Sequence, residues 1–526
     1  MKLSSNTLRV FTTVHTWTGL ITGMALFIAF YAGAITMFHG ELQLWAKPEL
    51  RDAGVPTAEQ VQALVDDVVA SHPEATGSFR VRLSGPYGPQ TAASWWADGE
   101  SWEQLAVGEP ALDHDGGAHS EVADLVNELH FTLGLPYGVG LYLMGVVSVL
   151  YGLALISGVI VHLPKLVSDL MALRPGRNLK RFWQDAHNVI GVMSLPFHAM
   201  FAFTGVFLTI SVLFFAAYNL LVLDNRLNDF IGPMTAIEPP AEMANESSAM
   251  LPVGEILLRA EAAVPGLEPG LLSFKRYGDA SATVTVRGPR PGTLIDETHV
   301  TLAASSGEVL AIQQSGDRKP YWSAVGGIVA LHFGNFGGML VQWLYFLLGL
   351  AGAFLFYSGN LLWLESRRRR RQTEQADVHR FLARLTVGVC VGCMLAISCV
   401  FLAVHLLPET AQPLPAWEWR VYYASFFAAV LWALLRAPAQ AAMELLWLSA
   451  AATALIPVVN AGVTGDHLLQ TMRDGHWAVA MVDLTALGMA AAFAAMARAT
   501  ARRAYHGDPN SVWAHPRLVA ASASKP

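Results

Sequence analysis

The chain has 526 residues, of which 53% are hydrophobic and only 14% charged; its formal charge is −7 and its mean hydropathy +0.39. The apolar residues fall in long uncharged blocks rather than short periodic stripes, which excludes a soluble globular enzyme and indicates transmembrane helices. The five cleanest blocks, 10–40, 138–164, 187–223, 321–364 and 385–408, each exceed the roughly 20 residues a helix needs to cross the hydrocarbon.

Residues 1–39 hold the first predicted span. Lys2 and Arg9 precede it and "YAGA" resembles a cleavage site, but the apolar run is about twice the length of a secretory h-region and contains His15. It reads as a retained anchor. Residues 40–137 form a hydrophilic segment with 16 acidic and 4 basic residues, a helix at "TAEQVQALVDDVVASH" and strands such as "SFRVRLSG" and "TAASWWA". Spans two and three lie within 138–223, separated by a loop carrying Lys165, Arg174, Arg177, Lys180 and Arg181 against Asp169.

A second hydrophilic segment, 224–320, repeats the order: "PVGEILLRAEAAV" is helical and "LLSFKRYG", "ATVTVRG", "ETHVTLAAS" and "GEVLAIQQ" are strands. Both segments are predicted to be small antiparallel α+β domains, each marginal in size to fold without leaning on the other or on the helices. Span four occupies 321–366, and a basic loop, 367–380, opens with five arginines. Residues 381–500 hold four C-terminal spans, the weaker three near 421–436, 444–465 and 477–497, and 501–526 is a tail. The predicted fold is thus a mainly α membrane protein with eight spans and two exterior α+β domains. The basic loops set the topology by the positive-inside rule: N-terminus and tail cytoplasmic, hydrophilic segments periplasmic, in a bacterial inner membrane. After a membrane helix the arginine run is a topology anchor, and no nucleic-acid partner is expected.

The first four spans form an internal repeat. "HTWTGL" at His15 matches "HNVIGV" at His187, and Gly33 and Gly205 each follow 18 residues later. "ELHFTLGLPYGVGLYLMG" begins with His130 and "ALHFGNFGGMLVQWLYFLLG" with His332; in the steps Ser157-Gly158 and Ser358-Gly359 the glycines follow 28 and 27 residues after these histidines. Both copies start inside, so the repeat is parallel. His15 and His187 are placed near the cytoplasmic face, His130 and His332 near the exterior face, with a bend at Pro136. His162 and His198 break the symmetry. On a helix, His187 and His198 lie about 20° apart in azimuth and about 16 Å apart along the axis, which aims them at one interior line at two depths.

Six histidines at such positions point to bis-imidazole ligation of haem b, one haem near each face, with Gly19, Gly33, Gly145, Gly191 and Gly205 letting a flat ring approach the backbone. Cytoplasmic-side candidates are His15, His187 and His162; exterior-side candidates are His130, His332 and His198. A metal or proton path needs carboxylates in the spans; the first four have none, and Asp483, in the last, reads as a local pairing device. "CVGC" (Cys390, Cys393) and Cys399 lie in the fifth span, where small packing residues are the expected reading. His114, His119, Asp113 and Asp115 in "LDHDGGAHSE" read as a solvated loop, and His405, His467 and His476 as interface residues. No dinucleotide fingerprint, phosphate loop or serine elbow occurs, so electrons would come from a cytoplasmic donor or a membrane quinol.

The stretches "VHTWTGLITGMALF" (14–27), "ALISGVIVHLPKLVSDLMALRPGRNLKRFWQDAHNVIGVMSLPFHAMFAFTG" (154–205) and "LHFGNFGG" (331–338) resemble the PepSY-associated transmembrane helix family of iron-regulated membrane proteins. The resemblance covers roughly residues 1–370 and implies periplasmic PepSY domains and, as in some members, haem-dependent reduction of ferric siderophores. By that resemblance the six histidines fall on the family's positions; His39 does not. The C-terminal spans are an extension. The expected function is therefore a dihaem ferric-siderophore reductase, with a peptide-, protease- or iron-uptake-partner-binding PepSY protein and a metal or chelate permease as alternatives.

Overall fold

Among the described residues, length and apolar composition make seven helices able to cross a bilayer, and the protein is a multi-pass membrane protein. The computed structural model describes residues 4–51, 55–85, 90–97, 101–106, 120–163, 179–227, 243–289, 297–314, 320–368, 375–408 and 410–516. In chain order the elements are α1 (Ser5–Thr36), α2 (His39–Ala46), α3 (Ala58–Ser71), β1 (Ser78–Arg82), β2 (Ala92–Ala97), β3 (Ser101–Ala106), α4 (Val122–Thr132), α5 (Tyr137–His162), α6 (Leu179–Met193) and α7 (Leu195–Leu221). There follow α8 (Val253–Ala263), β4 (Leu271–Lys275), β5 (Thr283–Pro289), β6 (Glu297–Ala303), β7 (Val309–Gln313), α9 (Pro320–Phe333) and α10 (Gly338–Ser366). The chain closes with α11 (Asp377–Leu406), α12 (Leu414–Leu435), α13 (Pro438–Thr464), α14 (Leu468–Arg473) and α15 (Trp477–His506).

The chain divides into two units, Met1–Ala46, Ala118–Ser211 and Gln342–Pro526 against Lys47–Gly117 and Val212–Val341. The seven spanning helices are α1, α5, α7, α10, α11, α13 and α15. The predicted span near 421–436 is α12, whose first turns carry Glu418 and Arg420 and lower its apolar character. The predicted third span is two helices: Pro196 has no N–H to bond the carbonyl one turn back, and the chain turns at Ser194 between α6 and α7. The predicted fourth span divides likewise into α9 and α10, with Gly334 and Gly338 at positive φ between them. The bend expected at Pro136 separates α4 from α5.

In the second unit, strands from both hydrophilic segments make one antiparallel sheet, ordered β3-β2-β1-β4-β5-β6-β7. The join is β1 with β4, where Phe79 stands opposite Phe274 and the rings stack 4.8 Å apart. Alternation puts Phe79, Val81, Leu272, Phe274, Val284 and Val286 into one core. Against it pack the apolar stripe Val61, Leu64, Val65 and Val68 of α3, begun by a Thr57–Gln60 capping box, and Ile256 and Ala260 of α8. Neither strand set has enough partners to cover its own face, which is why the two segments share a sheet.

On β5 and β6, Arg287 and His299 are cross-strand partners. Glu297 accepts a hydrogen bond from His299 at 3.2 Å and two from Arg287 Nη2 at 2.8 Å. These bonds, that from His299 foremost, hold the Glu297 carboxyl down at about 2. A depressed carboxylate stabilises the fold fully above its unfolded value near 4.5 and loses that contribution as pH falls toward 2. Thermal melting of the purified full chain followed through this acid window is expected to show that loss, and Glu297→Gln to flatten it.

Candidate functional site

In the first unit, three imidazoles meet a helix backbone in one way. His15 Nδ1 lies 2.7 Å from the Ala154 carbonyl on α5, His187 Nδ1 lies 3.1 Å from the Leu355 carbonyl on α10, and His130 Nδ1 lies 2.7 Å from the Ala29 carbonyl on α1. A carbonyl only accepts, so each Nδ1 carries the proton and donates it. The residue four places after each carbonyl, on the same helix face one turn along, is a glycine: Gly158, Gly359 and Gly33. A Cβ at Gly158 would fall 2.9 Å from His15 Cε1, and one at Gly33 2.5 Å from His130 Nδ1. Neither contact is tolerable, so the missing side chain is what exposes the carbonyl. Ser157 and Ser358, just before two of these glycines, donate their hydroxyls to the same Ala154 and Leu355 carbonyls at 3.0 and 2.9 Å.

With Nδ1 protonated, a neutral imidazole keeps its lone pair on Nε2, the form in which histidine binds a metal. Among the described residues no hydrogen bond reaches Nε2 of His15 or His187. Their ring centroids lie 6.1 Å apart with planes at 72°. Two metal–imidazole bonds of about 2 Å, with about 1 Å more from each nitrogen to its ring centre, span about 6 Å. A separation of that size would let the two imidazoles hold one metal centre between them. A bare ion needs more protein ligands, and among the described residues no group of three or more His, Cys, Asp or Glu could hold one.

The other predicted ligands are placed as follows. His162 lies one turn after Gly158 on α5, beside the pair, and its buried Nδ1 has no hydrogen-bond partner among the described residues. His198 is fully buried; Nδ1 lies 2.6 Å from the Tyr151 hydroxyl, and Phe30, Phe197 and Phe356 surround the ring. Its Nε2 is buried without a hydrogen-bond partner among the described residues. A Cβ at Gly352 would lie 3.2 Å from His198, and one at Gly359 3.3 Å from His187. Seven residues apart, those glycines mark one face of α10, which His187 and His198 both adjoin. His332 belongs to the second unit, on α9. Of the glycines proposed to admit a flat ring, Gly33 lies under His130, Gly145 meets Ile210, Gly191 Leu355 and Gly205 Ser148, while Gly19 faces open space. His39 pairs with Asp124 at 2.9 Å. Residues 112–119, with His114 and His119, lie outside the described residues.

The helix that carries His130 is held at both ends by α12. At its start the buried Glu418 carboxylate accepts from Ser120 Oγ at 2.5 Å and from Glu121 N at 3.1 Å. Beyond its end the Tyr423 hydroxyl donates to the Gly134 carbonyl, and Trp419 packs against Gly134. Sequence reading missed Glu418 because the span was started after it. The expected pairing role of Asp483 is observed: fully buried, it accepts from Trp45 Nε1 at 2.9 Å and Asn460 Nδ2 at 3.0 Å. Cys390 and Cys393 are buried free thiols.

The long apolar helices define a multi-pass membrane protein. The chain belongs to the family described as the PepSY-associated TM region, whose profile matches residues 12–366. It is similar to a Pseudomonas aeruginosa protein, uncharacterized protein PA4219, with 29% identity over 323 residues, 59% of this chain and 79% of that one. The profile ends at the foot of α10, so α11 to α15 are additional to it.

Gly158→Val is expected to lower unfolding stability by about 1–3 kcal/mol through overpacking against His15. Gly19→Ala, where a Cβ meets nothing within 4 Å, should leave it unchanged or raise it slightly. Thermal melts of the two detergent-purified variants make the comparison.

Proposed function

We propose that this chain is a b-type, dihaem electron-transfer protein of the bacterial inner membrane that reduces ferric siderophores or other ferric chelates on the periplasmic side. The observation that carries the reading is the His15–His187 pair, 6.1 Å apart, with both Nδ1 atoms engaged and both Nε2 atoms free for a metal. These two residues would hold one haem. His130, whose Nδ1 is fixed in the same way, and His198 are the first unit's candidates for the second, His332 is a candidate of the second unit by itself, and His162 lies beside the first pair as a spare ligand or hydrogen-bond donor. Bound there, haem b supplies reversible one-electron chemistry, with a potential set by ligation and burial.

The chain's own contribution is positional. The carbonyls fix each imidazole's tautomer and rotation, the glycines let the rings reach the backbone, and the packed aromatic residues around His198 exclude water from the bundle interior. Ferric iron is held tightly by hard oxygen chelators and ferrous iron weakly, so one electron loosens the cargo without an acid or base from the protein. The twofold recurrence of a histidine on the carbonyl before a Ser-Gly step supports a parallel internal repeat in the first four spans. On this reading α12, 22 residues long, is the eighth span, the basic loops and N-terminus are cytoplasmic, and the shared sheet is a periplasmic PepSY-like module.

Protein expressed with ample haem is expected to show a Soret band, sharp reduced α and β bands and two haems per chain. His15→Ala or His187→Ala should each remove one of them. A colourless protein would overturn the reading in favour of a non-enzymatic PepSY protein or a permease.

A further inference from the structure

A cavity of about 420 Å³ lies in the first unit, bounded on one side by residues of the family region and on the other by the C-terminal extension. Phe27, Tyr31, Phe354 and Tyr357 form the near wall; Met394 and Phe493 stand on the far wall. The lining is almost wholly apolar, with three features that a simple packing gap does not need. Arg503 is its one charged residue; the guanidinium lies 4.6 Å over the Phe182 ring and 5.8 Å from that of Trp183, and among the described residues its N–H groups meet no hydrogen-bond acceptor. The hydroxyls of Tyr31, itself 5% exposed, and Tyr357 have no hydrogen-bond partner among the described residues. A buried phenol usually finds one.

The cavity also adjoins the imidazole pair. Trp183 is one turn before His187 on α6, and Phe354 and Tyr357 flank the Leu355 carbonyl on which His187 rests. The Trp183 and Phe354 rings are 6.2 Å apart. A ligand here would be flat or flexible, largely apolar, able to accept hydrogen bonds from a guanidinium and phenols, and within a few ångströms of the His187 backbone seat.

We propose that this cavity binds an isoprenoid quinol, with its oxygenated ring near Arg503 and Trp183 and its tail along the Phe27–Tyr31 wall. The inference rests on the electron-transfer reading and names that reading's donor. Going from quinol to quinone, the ligand loses two electrons and two hydroxyl protons, the protons released to water; a haem held by His15 and His187 would be the one-electron acceptor for each electron in turn. Arg503 and the tyrosines bind the ring oxygens; they take no proton. The extension beyond residue 366 thereby acquires a role, since it supplies the far wall and the arginine.

The test uses the full chain in detergent, with decylubiquinone as probe and quenching of tryptophan fluorescence as readout, because Trp183 and Trp513 line the cavity. Saturable quenching is expected, weakened at least tenfold by Arg503→Gln and abolished by Ala353→Phe, which fills the space. Anaerobic decylubiquinol should reduce the haem-loaded protein, at least tenfold more slowly in Arg503→Gln, while dithionite reduces both equally. Quenching without saturation, or equal in all three proteins, overturns the site, as does a co-purified phospholipid that the quinone fails to displace. Saturable quinone binding in a protein that takes up no haem upholds the site and removes the function proposed above; haem without quinone binding removes the site alone.

Discussion

An imidazole buried among helices has two polar nitrogens and no water to satisfy them, and this protein satisfies Nδ1 three times by the same device. His15, His187 and His130 each donate to a helix carbonyl whose covering residue, four places on, is glycine. Such a bond contributes only about 1 kcal/mol net, but leaving the group unpaired costs about 1–3 kcal/mol. The larger consequence is orientation. A ring pinned at Nδ1 has its tautomer and rotation set, and Nε2 becomes the nitrogen left for chemistry. Everything assigned to the bundle depends on that constraint.

The extension helices serve the same end from outside the histidine set. Buried carboxylates are expensive unless fully hydrogen-bonded, and here Glu418 and Asp483 are spent on Ser120, the Glu121 N–H, Trp45 and Asn460. Glu418 thereby caps α4 from another helix, where a negative charge is favoured by the exposed N–H groups, and Tyr423 fastens the turn beyond it. His130 rides between these two anchors. On the other flank the extension encloses the cavity beside His187. In the second unit the logic is different, a shared sheet joined at Phe79 and Phe274, because two small strand sets cover their apolar faces together.

Much of this was legible from spacing. Long uncharged blocks gave α1, α5, α7, α10 and α11, the bend at Pro136 separated α4 from α5, and matching histidines and Ser-Gly steps flagged the residues that meet. The pairing of each histidine with a particular glycine was not legible, because it depends on which helices adjoin. Gly33 was taken as clearance for a flat ring and instead lies under His130. The turns at Ser194 and between α9 and α10 were hidden because apolar composition runs straight through them. Glu418 escaped because hydropathy treats a carboxylate as the edge of a span, whereas a carboxylate with partners can lie inside the fold. Nor could strand patterns reveal that two hydrophilic segments, separated by residues 138–223, form one sheet.

The account's central claim is that His15 and His187 present their Nε2 atoms to one iron, with ring planes held near the 72° observed by two separate carbonyls. Low-temperature electron paramagnetic resonance of the oxidised, haem-loaded protein reads this directly, since near-perpendicular axial imidazoles give a strongly anisotropic low-spin ferric signal. The account predicts that signal, lost in His187→Ala with its haem. A high-spin ferric resonance in the unaltered protein, or a strongly anisotropic low-spin signal of undiminished intensity after removal of either histidine, would contradict it.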